Sequence, residues 1–435
     1  MKRETKSLTL VDGDLRLEDA VVTSDASDKT VHVLGSTLCS GDCIFNCHLK
    51  TMNLEGKRGK IVVEGNLTVE HSVNLRRGDL CVRGNLSAER LEVDRRVEVF
   101  GDLTSKRVDV GGTLKVKSRV TSMDLRVGGS FQSGSDAEVN DLDVGGSVTI
   151  EGKMKSTAID VGGKFVGKGP VEAEKLEVGG SARADSQIMI GEIDVGGRLR
   201  LAGGVIQRKL DVGGALEASH PLKFQSIDVG GKAQIAGGEG ETIEVGGAFI
   251  CNGDLSFSRI DVGGTVKIDG DAFGKSIRVG GTVSVTKNLT LSENLRVGGV
   301  INVGKTVKAG VIKVGGKIEA EKAEANREIE ANTLMTILGA KARQIEIGRR
   351  GRAKGPLIAD EVLIKESARV EDIYAKSMEL RSGCRVQNVY AEDIKIGSNC
   401  TVDGEVNYSK ALRTERAVRF TYEPKKTEKL PPPPF

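Results

Sequence analysis

The chain of 435 residues has no tryptophan, ten phenylalanines and four tyrosines. So few large side chains exclude the thick aromatic-filled core expected of a globular enzyme of this length. Histidine is scarce as well, with His32, His48, His71 and His220 the full set. They have no metal-type pairing, and the chain carries neither a phosphate-binding loop of the GxxxxGK[ST] type nor a G-x-S-x-G nucleophile elbow. No run approaches the roughly 18 apolar residues of a membrane-spanning helix. The N-terminus lacks the apolar stretch of a secretory signal. Excess charge is missing too: 64 basic residues stand against 61 acidic ones. No global field therefore draws the chain to a polyanion; no nucleic-acid partner is expected, and nothing in the sequence supports membrane association. The seven cysteines are odd in number and unpaired in spacing, which predicts free thiols in a reducing cytoplasm.

Abundant instead are glycine, at 57 residues, and one tripeptide. Val-Gly-Gly occurs thirteen times, with its valine at 110, 127, 144, 161, 178, 195, 212, 229, 245, 262, 279, 297 and 314; ten of the twelve spacings are 17 residues. A period this short excludes helix-turn-helix repeats. It suits one coil of a solenoid in which each repeat stacks on its neighbours.

Aligned on the valine, every copy has an aliphatic residue two positions earlier, as in Val108, Leu125, Ile159 and Ile260, with a charged residue between. This period-2 alternation predicts a strand with apolar residues inward and charge outward. The two glycines are expected to turn the chain through positive φ. A second inward pair follows at four and six residues past the valine (Leu114 and Val116, Val266 and Ile268). A third, less regular pair stands at ten and twelve (Ile188 and Ile190, Leu289 and Leu291). Three inward pairs per 17 residues predict an all-β fold, a three-sided single-stranded β-helix, or β-solenoid.

The pattern extends past the tripeptide block. Val63-Glu-Gly-Asn-Leu, Val82-Arg-Gly-Asn-Leu and Val99-Phe-Gly-Asp-Leu read as the same corner with one glycine. Downstream, Val362, Met378 and Ile394 recur at 16 residues, as do Val370, Val386 and Val402, and Tyr374 is expected to stack on Tyr390. The predicted organisation is an N-terminal cap with first strands (1–30), degenerate coils (31–107), regular coils (108–320), an irregular or inserted segment of helix-favouring composition (321–344), further coils (345–411) and a Pro-rich extended tail (412–435). Roughly 22 coils fall between residues 30 and 410, on the order of 100 Å at the strand spacing.

Three clusters are candidate sites. Cys39, Cys43 and Cys47 with His48 resemble a metal set, but zinc sites favour two-residue gaps within each Cys pair, so buried thiols are the expected reading. The acidic column that includes Asp143, Asp160, Glu177 and Asp194 could suggest a calcium ladder; its mid-strand outward position predicts a solvated face that discourages lateral pairing. Arg349, Arg350, Arg352 and Lys354 form a basic patch without aromatic residues, a poor nucleic-acid signature; a solvated corner is the expected reading, and contact with an anionic surface or membrane the alternative. No catalytic, cofactor-binding or metal-ligating residue is predicted, and no cofactor.

The segments Ala368-Arg-Val-Glu-Asp-Ile-Tyr-Ala and Cys384-Arg-Val-Gln-Asn-Val-Tyr-Ala, with the closing Leu-Pro-Pro-Pro-Pro-Phe, resemble the bactofilin family, in particular its archaeal members. That resemblance covers about residues 360–435. It implies a right-handed β-helix in a polymer-forming cytoskeletal protein of the cytoplasm, often near the membrane, that joins end to end without nucleotide. The chain departs from the family in having about four times as many coils. The expectation is a non-enzymatic homopolymer formed through terminal coils, with the Pro-rich tail a possible contact for other proteins. The alternative is a β-helical rod that does not polymerise and acts as a spacer or protein-binding platform.

Overall fold

Each coil of the folded chain is built from the alternation described above. The computed structural model describes residues 4–434; residues 1–3 of the predicted cap and Phe435 of the predicted tail lie outside the described residues. All regular structure among the described residues is β, without a helix. Strands stack in parallel about 17 residues apart to form a β-solenoid of about 25 turns. Coils continue on both sides of residues 30–410, which accounts for the excess over the expected number. The chain divides into two compact units, Met1–His220 and Pro221–Phe435.

In the first unit one coil shows the construction. Leu103 and Ser105 point inward from one side, Val108 and Val110 from the next, and Leu114 and Val116 from the third. Each pairs in register with its equivalent one coil away: Leu103 with Val120, Val108 with Leu125, Leu114 with Phe131. Two adjacent exposed residues, Lys106 and Arg107, break the alternation and mark one corner. Buried Ser105 and Ser122 serve this corner: each hydroxyl donates to the carbonyl two residues ahead, at 3.0 and 2.9 Å. A buried hydroxyl so partnered avoids a desolvation cost of about 1–3 kcal/mol.

The Val-Gly-Gly corner differs from expectation in its cause. None of its glycines has a positive φ. Their constraint is stacking. A Cβ on Gly145 would lie 2.6 Å from the carbonyl oxygen of Gly128, and one on Gly163 would lie 2.5 Å from that of Gly146. The ladder runs unbroken through the bend, since the Gly128 amide donates to the Val110 carbonyl at 2.9 Å and Gly129 to Gly112 at 2.9 Å. Glycine is required because successive backbones meet where a side chain would point at the coil below.

The Gly-Asn-Leu segments are a different corner. Val99 stacks on Val116 and Val82 on Val99, whereas Val110 stacks on Val93. Beneath Gly111 and Gly112 stand Asp94 and Arg95. The single-glycine corner lies one side further round the coil.

In the second unit, Phe224, Gly240, Phe257 and Gly274 occupy one inward position in successive coils. A Cβ on either glycine would collide with the preceding phenylalanine ring, so large and absent side chains alternate along the column. Spacings other than 17 are absorbed locally. The 16-residue coil pairs Leu222 with Gly238, and Gly237 and Gly238 take φ of 140° and 142°. The 18-residue coil places its extra residue in a bulge between the pairs Gly274–Leu291 and Ser276–Asn294.

Residues 321–344 are not irregular. They lie inside continuous β-structure, Thr306–Lys354, with Ala323, Ile329, Ala331 and Leu334 buried. Pairing with adjacent coils overrides the helix preference of Ala, Glu and Lys. The tail also begins later than predicted. Val406–Thr414, Arg419–Phe420 and Lys425–Lys426 are strands, and the last two pair with Thr401–Val402 and Asn407–Tyr408.

Candidate functional site

The interior is lined mostly by aliphatic side chains, with buried phenylalanines, serines and threonines among them, and all seven cysteines are buried free thiols. Among the described residues no group of three or more His, Cys, Asp or Glu is arranged to hold a metal. Cys39 and Cys43 do meet. The Cys43 sulfur and then burial push the Cys39 thiol far up, while burial lifts Cys47 to about 11. His48 does not join them. Its Nδ1 accepts the Asn66 amide at 2.7 Å on the outer corner.

That contact belongs to an arrangement the sequence did not announce. At the single-glycine corner a side-chain oxygen accepts the backbone amide one coil further on. Asn66 takes Asn85 N at 2.9 Å, Asn85 takes Asp102 N at 2.9 Å, and Asp102 takes Arg119 N at 3.1 Å. The second unit repeats it with Asp254 to Asp271 N (2.8 Å) and Asn388 to Glu405 N (2.8 Å). The preceding glycine leaves room, for a Cβ on Gly84 or Gly101 would strike the Asn oxygen beneath it. The Gly-Asn and Gly-Asp dipeptides were the available signal, but they read as turns alone. The ladder is structural: it supplies acceptors where the strand hydrogen bonds pause.

The acidic column is in register. Asp143, Asp160, Glu177, Asp194 and Asp211 follow one another on the outer wall of the first unit. The Asp160 carboxyl is pushed up, first by burial and then by Asp143 and Glu177. Lys175 and Lys209 relieve the column at 2.5 Å from Glu177 and 2.8 Å from Asp211. Like charges one strand spacing apart are destabilising, and such a wall resists pairing with another sheet.

Arg349, Arg350, Arg352 and Lys354 are exposed on the second unit. Register extends them into a column, because Arg352 pairs with Arg369 and Arg369 with Arg385. Arg349 reaches Glu366 at 3.5 Å, and Arg385 is held by Asp403. Nearby, Ile337 and Leu338 project from a corner at 76% and 54% exposure.

One outer wall of the second unit is apolar. Ile358, Tyr374 and Tyr390 pair in register, and the two tyrosine rings stack with centroids 4.9 Å apart. Ala359, Ala375 and Ala391 form the adjoining column. Leu430, Pro431 and Pro433 share a cavity of about 350 Å³ with Ile358, the two tyrosines, Ala359 and Ala375, and Lys341, Asp360 and Lys376 border it. Burial, followed by Glu405 and Tyr374, raises Tyr390 to about 12.

At the start of the described chain, Glu4–Leu8, Leu10–Val11 and Leu15–Glu18 have their ladder pairings with the coils that follow. Leu10 is 62% exposed in this first coil, and Tyr422 is 60% exposed in the last. No helix among the described residues is long and apolar enough to cross a membrane. Comparison with known protein families, curated proteins and solved structures finds no match. The fold and these surfaces therefore define a β-solenoid repeat protein suited to a structural or scaffold role.

Proposed function

We propose that the chain is a non-enzymatic structural protein that self-assembles end to end, without nucleotide, into a cytoplasmic filament or scaffold of the bactofilin kind. The observation that carries this reading is the character of the terminal coils. Their strands pair to one side, and exposed strand edges template further pairing. An open edge at each end that pairs with the opposite end of another copy makes a heterologous interface, one that repeats without closing. Seven buried free thiols fit a reducing compartment.

The exposed Ile337–Leu338 corner favours a second reading, in which a chain that does not polymerise serves as a binding platform. Negative-stain microscopy and light scattering of the purified protein without nucleotide separate the two. Filaments are the expected result. A discrete monomer or dimer mass at high protein concentration overturns self-assembly.

A further inference from the structure

We infer that the outer wall at Ile358, Tyr374 and Tyr390 is a binding groove for polyproline II peptides, and that its resident ligand is this chain's own C-terminal segment, residues 430–434.

The wall is anomalous for a solenoid. Most outward positions carry charge or small polar groups and most exposed apolar residues stand singly, yet here an isoleucine and two tyrosines stack in one column. Ile358 points outward and is still only 8% exposed. Leu430, Pro431 and Pro433 line the same cavity, and Leu430 is itself half-buried. Stacked aromatic rings beside small alanines make the kind of ridge-and-slot surface that proline-rich segments dock on.

The periodicities also match. A polyproline II helix repeats every three residues, about 9.3 Å, and two coils of a solenoid span about 9.6 Å. Leu430 and Pro433 are three residues apart, so they present to the wall on one face at a two-coil interval. The tail leaves the ladder where the Thr427 amide donates to the Tyr408 carbonyl at 2.9 Å. From there residues 428–434 reach about 22 Å in polyproline II form, against about 19 Å for the four coil steps from Tyr408 to Ala342. Of the charged residues at the cavity, Lys376 is held by Asp360 at 2.7 Å, and Lys341 stands in the Ile358 column one coil away.

The prolines remain largely exposed, and a short tether holds the tail at an effective concentration in the millimolar range. The contact is therefore one that an external proline-rich peptide can replace once the tail is gone. The inference is independent of self-assembly, since it concerns one wall and a soluble peptide.

The test is fluorescence anisotropy with a labelled peptide Glu-Lys-Leu-Pro-Pro-Pro-Pro-Phe, titrated into the full chain and into a chain ending at Lys429. The deletion removes no strand, because the last one is Lys425–Lys426. The truncated chain should bind at least tenfold more tightly than the full chain. Replacing the four peptide prolines by alanine should weaken binding at least tenfold. In the truncated chain Tyr374→Ser together with Tyr390→Ser should do the same. No binding to the truncated chain at 1 mM peptide, a tolerance of the alanine peptide, or equal binding by both chains overturns the proposal. The peptide and truncation arms leave the groove residues untouched, so they decide the matter even if the tyrosine variant misfolds.

Discussion

The ring of Phe224 occupies the space that a side chain at Gly240 would take one coil above it. Neither residue faces solvent chemistry. Together they set the local volume of a core only one coil wide, where packing has no second layer in which to relax.

Gly240→Ala should therefore cost about 1–3 kcal/mol by overpacking. Phe224→Leu in the same chain should recover part of that loss, with a coupling energy of about 0.5–3 kcal/mol. Because a repeat array does not unfold as one cooperative unit, the measurement is amide exchange over residues 222–245 rather than a single melting point. Additive effects of the two changes would contradict the interlocked column.

Asn85→Ala should remove the acceptor for the Asp102 amide, at a cost of about 0.5–1.5 kcal/mol for a hydrogen bond of this kind. Asn85→Asp keeps an oxygen in place and should be close to neutral. The readout is exchange protection of the Asp102 amide, which should fall in the alanine variant and persist in the aspartate variant.

Asp160 makes a prediction with pH. Its carboxyl is raised by burial, then by Asp143 and Glu177, so the folded state holds this proton more tightly than the unfolded state. A raised carboxylate destabilises the fold as pH rises from below its unfolded value of about 3.9 through its folded value. Asp160→Asn should accordingly raise amide-exchange protection of the strand Met154–Val161 at pH 7 and leave it unchanged at pH 3. Residue 160 is exposed, so the gain is small. Lower protection in the variant at pH 7 would show that the column contributes attraction through its lysine partners instead.

Much of the coil is legible in the sequence. Val108 and Val110, Leu114 and Val116, and the stacked Tyr374 and Tyr390 follow from period-2 alternation repeated at a fixed interval. What sequence reading assigns wrongly is cause and place. Val99 lies on Val116, seventeen residues on, and not on Val110, eleven residues on. Gly145 and Gly163 are glycine because of the coil beneath them and not because of φ. The segment 321–344 looks irregular in sequence because alanine gives little hydrophobic contrast, while a narrow interior accepts Ala323 and Ala331 readily.

By itself, then, the sequence determined that the chain would coil, about how often, and which residues would face inward, because those depend on spacing along one strand. Only the tertiary structure decided what lies one coil away. The Asn66–Asn85–Asp102 ladder, the Phe224–Gly240 alternation and the seating of Leu430 against Ile358 and the tyrosine wall join residues through stacking and folding back. Those contacts depend on registers and paths in space that no single coil encodes.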